Sequence, residues 1–175
     1  MTAISFALGV ALAALVQLVG TALWSGFPAV ADPFLVAVVI AALAGRPERA
    51  LVAGTLAGWT ADVLSGGPFG LYGFADAAVA YAAALAAQRI VVDRRATAAA
   101  LLAAAAVAQG ALLVALGFVF RGGGEAVAPL TLLARVGSTA ALGLAWLALA
   151  RGVAARWRRR GRSTGGGAPP RSLLR

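Results

Sequence analysis

Long apolar runs alternate with short polar breaks along nearly the whole chain. Six runs stand out: Ile4 to Trp24, Pro33 to Ala44, Ala50 to Gly66, Pro68 to Gln88, Ala96 to Phe120 and Leu130 to Ala150. A helix needs about 20 residues, each rising 1.5 Å, to cross a hydrocarbon core of roughly 30 Å. The pattern therefore predicts an all-α, polytopic transmembrane bundle of about six spans over residues 1–150, followed by a basic, flexible segment over residues 151–175. The second run is short. It either borrows Phe27 to Asp32 or lies tilted or half-inserted in a locally thinned bilayer, which leaves five spans as the alternative count.

The arginines favour six. Positive residues gather in short cytoplasmic loops, and with both termini inside, the inner connections carry Arg46 and Arg49, then Arg89, Arg94 and Arg95, with eight more arginines beyond Ala150. The outer connections carry Arg121 alone. This makes the chain a multi-pass membrane protein with both termini on the cytoplasmic side. Ala29-Val-Ala31 has the form of a signal-peptidase site, but the preceding apolar run is longer than a usual signal core and no Lys or Arg comes before it. The first run is therefore read as a retained helix.

Composition narrows the chemistry. The chain has 175 residues, 62% of them hydrophobic, a net charge of +9, and neither Cys nor His; its mean hydropathy is +0.91. That removes disulfides, thiolate and imidazole metal sites, and every triad that uses imidazole as base. No catalytic residue, cofactor site or metal site is expected. The basic end, Arg151 to Arg162 and then a Ser-, Gly- and Pro-rich tail, reads as a topology anchor drawn to anionic lipid headgroups, with about 1 kcal/mol per Arg near the surface. A cytoplasmic docking role is the alternative. Nucleic acid is not the expected partner, because no binding fold or aromatic platform accompanies the charge.

Three ionisable residues fall inside the runs: Asp62, Asp76 and Arg135. Counted from the helix ends they lie roughly 6, 12 and 8 Å deep on the outer side. Isolated charge in hydrocarbon is costly, so Arg135 is expected to pair with Asp62, Asp76 or both. Gly54, Gly58 and Asp62 recur every four residues and mark one helix face where another helix approaches closely. Ser65-Gly66-Gly67-Pro68-Phe69-Gly70 then reads as a tight outer turn, with glycines for unusual backbone angles and Pro68 suited to a helix start.

Over Gly45 to Tyr81 the chain resembles the rod-shape-determining protein MreD family. Gly54, Gly58, Asp62, Ser65, Gly66, Pro68, Gly70 and Leu71 stand at positions like the family's pattern, and chain length and span number agree with it. The resemblance implies a non-enzymatic part of the cell-elongation machinery for peptidoglycan. It implies association with an MreC-like membrane protein, an MreB-like filament and a RodA–transpeptidase pair. It also implies a bundle similar to the substrate-binding subunits of energy-coupling-factor transporters. The motif does not carry roles for Asp76 and Arg135.

Two functions compete at this point. One is a membrane scaffold that binds partner spans through the glycine seam and Asp62. The other is the small-molecule, vitamin-binding subunit of a transporter, with Asp62, Asp76, Arg135, Trp59, Tyr72 and Gln109 lining a pocket. An intramembrane enzyme is a distant third, since no hydroxyl nucleophile, metal cluster or phosphate cradle accompanies the two acids and the Arg.

Overall fold

The computed structural model describes residues 3–66, 69–89, 95–121 and 129–163, and among these the chain is helical with no strand. Seven helices follow one another: α1 (Ala3–Leu23), α2 (Phe27–Val30), α3 (Pro33–Ala42), α4 (Pro47–Ser65), α5 (Leu71–Arg89), α6 (Arg95–Arg121) and α7 (Pro129–Ser163). Each of the six apolar runs corresponds to one helix, and the single turn α2 is added before the second. The chain forms two compact units, Met1–Leu144 and Ala145–Arg175.

The helix boundaries follow from local chemistry. Pro33 and Pro47 stand in the first turns of α3 and α4, where a missing N–H costs nothing. Gly45 closes the end of α3 at φ 64° and Gly66 closes α4 at φ 65°, both in the left-handed region that glycine enters freely. Gly70, at φ 100°, leads into α5. The expected role of Pro68 lies outside the described residues.

The short second run is the centre of the first unit. Every residue of α3 from Pro33 to Val39 is buried, as is Ala42. Ten residues span about 15 Å, half a hydrocarbon core. α2 and α3 do not merge into one rod, because Ala31 is extended and Asp32 starts a new helix. Around α3, Val38 and Ala42 pack with Ala50 and Ala57 of α4 and Ala80, Ala83 and Ala84 of α5, backed by Phe6, Val10 and Leu101. Phe34 and Ala37 pack with Ala13 of α1 and Ala61 of α4. The core consists mainly of alanine, so helices approach closely where bulkier side chains would hold them apart.

The exterior is apolar. Leu23, Val63, Val119 and Phe120 are each at least 70% exposed, an arrangement that water disfavours and lipid accepts. Among the described residues two helices, over Ile4–Leu23 and Ala96–Phe120, are long and apolar enough to cross a membrane; Phe27–Ala42 and Leu133–Leu149 are shorter apolar stretches.

Candidate functional site

The glycine-spaced face of α4 packs within the chain. A methyl on Gly54 would sit 2.8 Å from Cα of Ala77 and closer still to the carbonyl of Asp76; one on Gly58 would sit 2.6 Å from Cα of Gly73, against the carbonyl of Tyr72. These obstacles are backbone atoms, so α4 and α5 run as an antiparallel hairpin in backbone contact. Gly73 admits the Trp59 ring in the same way, 2.5 Å from where its Cβ would lie. The seam expected to receive another helix therefore receives α5.

Asp62 ends that seam and joins the hairpin. Its carboxylate accepts hydrogen bonds from the backbone N–H groups of Gly70 at 2.9 Å, Tyr72 at 3.0 Å and Gly73 at 3.1 Å. These belong to the first turn of α5, where helical N–H groups lack intrahelical partners and the macrodipole favours negative charge. Asp62 thus caps a helix other than its own, at 2% exposure. Ser65 donates to the Asp62 carbonyl at 3.0 Å and closes the end of α4. Asp62, Ser65 and Gly70 stand at the spacing this hairpin uses, and both oxygens of Asp62 are occupied by it.

The ion pair expected for Arg135 falls on neither Asp62 nor Asp76. Arg135 Nη2 lies 2.8 Å from Oδ2 of Asp32, at the break between α2 and α3. The other oxygen of Asp32, Oδ1, accepts from the N–H of Leu35 at 2.9 Å and caps α3. Gln109 of α6 donates through Nε2 to Asp32 Oδ2 at 2.8 Å and to Asp76 Oδ1 at 2.6 Å, and its Oε1 accepts from Arg135 at 3.2 Å. The guanidinium also sits 6.0 Å from the centroid of the Tyr72 ring, within cation–π range. Asp76, Gln109 and Thr139 are fully buried.

The helix break explains why α7 carries hydroxyls beside Arg135. Ending α2 frees the Val30 carbonyl and the Asp32 N–H, which no water can satisfy in this interior. Ser138 donates to the Val30 carbonyl, and the Asp32 N–H donates to Thr139 Oγ1 at 3.3 Å. Arg135, Ser138 and Thr139 are spaced i, i+3 and i+4, so one helical face presents all three. Together they hold α7 to the break through polar contacts.

The pocket imagined from sequence is only partly assembled. Asp76, Arg135, Tyr72 and Gln109 meet, but they fill the space between them, while Asp62 serves the α5 terminus and Trp59 is half exposed beside Phe69. A groove of about 290 Å³ does lie between α5 and α6, lined by Val79, Leu101, Leu112 and alanines. It offers no polar group to fix a heterocycle.

Asp32 is not among the site residues expected from the sequence. The signal was present: an Asp directly before Pro33 and an unbroken apolar run is a helix-start signature. Gln109, alone within a long apolar run, was the second marker.

A helical membrane protein, apolar outside and knit inside by a carboxylate-centred polar core, is the class that these features define. The family follows from comparison with known proteins. A model of the rod shape-determining protein MreD matches residues 1–122, well over half of the chain, and the chain belongs to that family. It is thus a cell-shape-related bacterial membrane protein. The match takes in Asp32, the α4–α5 hairpin and Gln109; Arg135 lies beyond it. No curated protein and no solved structure matches the chain, so the expected likeness to energy-coupling-factor subunits has no solved structure behind it.

Proposed function

We propose that this chain is a non-enzymatic scaffold of the cell-elongation complex that holds an MreC-like membrane protein beside the peptidoglycan-synthesising machinery. Membership of the MreD family over residues 1–122 carries this reading. The interior supports it, because Asp62 and Asp32 each accept on both carboxylate oxygens and Arg135 pairs with Asp32, contacts that fix helices to one another. Such a frame is suited to presenting a fixed outer surface. With the Gly54 and Gly58 face already filled by α5, a partner span packs on the exposed apolar exterior instead. The RodA–transpeptidase pair and an MreB-like filament join the same assembly.

Six crossings with both termini in the cytoplasm agree with the arginine asymmetry. The basic end of α7 and the residues after it rest on anionic headgroups of the inner leaflet. Partner capture tests the scaffold. Tagged full-length protein, isolated in mild detergent from its own cells, retains an MreC-like protein, and depletion converts rods to spheres. Failure to retain such a protein together with a rod shape that survives depletion, or a vitamin that co-purifies and whose uptake fails on deletion, overturns the proposal.

A further inference from the structure

The polar core holds two carboxylates and one guanidinium, and the two acids are treated differently. Asp32 receives three donors, one of them Arg135. Asp76 has no exposed surface and receives a single donor, the neutral amide of Gln109 on Oδ1. Its Oδ2 is buried without a hydrogen-bond partner among the described residues. An ionised carboxylate in that position would be a second negative charge with one weak neutral contact, which buried sites do not sustain. The charged and titratable groups facing it are Asp32 at the break, Asp62 of α4, Tyr72 one turn earlier on α5, and Arg135 of α7; α1 contributes no charged side chain. Arg135 is engaged by Asp32, and Asp62 by the start of α5.

We propose that the Asp76–Gln109–Asp32–Arg135 cluster is a binding site for one proton, carried on the Asp76 carboxyl. A metal cation fits the place poorly. Hard cations need six or so oxygen ligands, and no group of three or more acidic, His or Cys side chains that could hold a metal occurs among the described residues. With the proton bound, the net charge of the cluster is zero and Gln109 bridges a neutral acid to the Asp32–Arg135 pair. Without it, two carboxylates compete for one guanidinium, and the contact that holds α7 to the helix break is drawn toward α5. The proton is thus coupled to the placement of α7.

Infrared spectroscopy of the full chain in nanodiscs tests this. The sequence has four Asp and two Glu, so carboxyl bands are few and assignable with ¹³C-labelled aspartate. At neutral pH the labelled protein shows a protonated Asp carbonyl band, and Asp76→Asn abolishes it. A spectrum holding only ionised Asp at pH 7 overturns the proposal, and this reading needs no variant at all. Equilibrium unfolding gives a second readout. Above the ordinary carboxylate range, and for as long as Asp76 keeps its proton, the folded state carries one proton more at this site than the unfolded state, so the site's contribution to stability falls as pH rises, by about tenfold in the folding constant per pH unit. Asp76→Asn removes that one-proton slope. An unchanged slope in Asp76→Asn, or a Na⁺-specific stabilisation at constant ionic strength that the variant loses, rules the proton out.

Discussion

Breaking the Asp32–Arg135 pair from one side should cost more than removing it altogether. In Arg135→Gln the Asp32 carboxylate keeps Leu35 N–H and Gln109 but loses the one cation it pairs with among the described residues. In Asp32→Asn, an amide oxygen can still cap α3, but the new NH₂ faces two donors, Arg135 Nη2 and Gln109 Nε2, and leaves the guanidinium unpaired with its side chain only 14% exposed. Each single change leaves an uncompensated buried charge, which costs about 3–5 kcal/mol. In the double variant Asp32→Asn with Arg135→Gln neither charge remains, and two amides occupy the space of a fork and a carboxylate.

Independent losses would sum to about 6–10 kcal/mol, whereas a double variant with no stranded charge should lose no more than either single one, about 3–5 kcal/mol. The coupling of roughly 3 kcal/mol or more lies well above the few tenths expected of separate sites. The assay is a double-mutant cycle by equilibrium unfolding in mixed micelles at fixed pH, with helicity as the signal. Additivity to within about 0.5 kcal/mol would show that Arg135 and Asp32 do not act as a unit. Ser138→Ala serves as an internal scale. It removes a neutral bond to the freed Val30 carbonyl, and neutral interhelical bonds in membranes average only about 0.6 kcal/mol.

Gly58→Ala should destabilise the hairpin by about 1–3 kcal/mol, because its methyl meets immovable backbone of α5 rather than a side chain that can turn away; thermal unfolding measures it, and Gly137→Ala, where nothing crowds the added Cβ, should be near neutral. Asp62→Asn retains one acceptor oxygen but turns an NH₂ toward a backbone N–H of α5, at a cost of about 1–3 kcal/mol; hydrogen exchange at Tyr72 and Gly73 should accelerate, and unchanged protection there would count against the cap. The natural absence of cysteine makes topology directly measurable. Ser25→Cys should react with an impermeant maleimide in intact spheroplasts and Ser163→Cys only after lysis, and labelling of both positions in intact spheroplasts would rule out the six-span arrangement.

How much of this was legible in the sequence depends on which interactions are local. Six apolar runs gave six helices with ends within a few residues, since hydropathy and turn chemistry act over neighbouring positions, except that α7 continues past Ala150 to Ser163 and so makes a helix of the first part of the segment expected to be flexible. The Gly54, Gly58 and Asp62 face was also readable, because a four-residue period maps onto one helix side whatever the helix packs against; what packs there is a tertiary fact, and it proved to be α5. Arg135 was rightly judged too costly to leave alone, yet its partner was sought among acids inside the spans. Depth counting treats each apolar run as a continuous rod, and the second run with the turn before it is not one. Its break after Val30 brings Asp32 inward as a cap for α3 and exposes backbone groups that Ser138 and Thr139 satisfy. A helix break inside a membrane demands polar side chains from its neighbours, so the unusual shortness of the second run and the polar triplet on α7 are two signs of one feature. Read together they would have placed Arg135 beside Asp32.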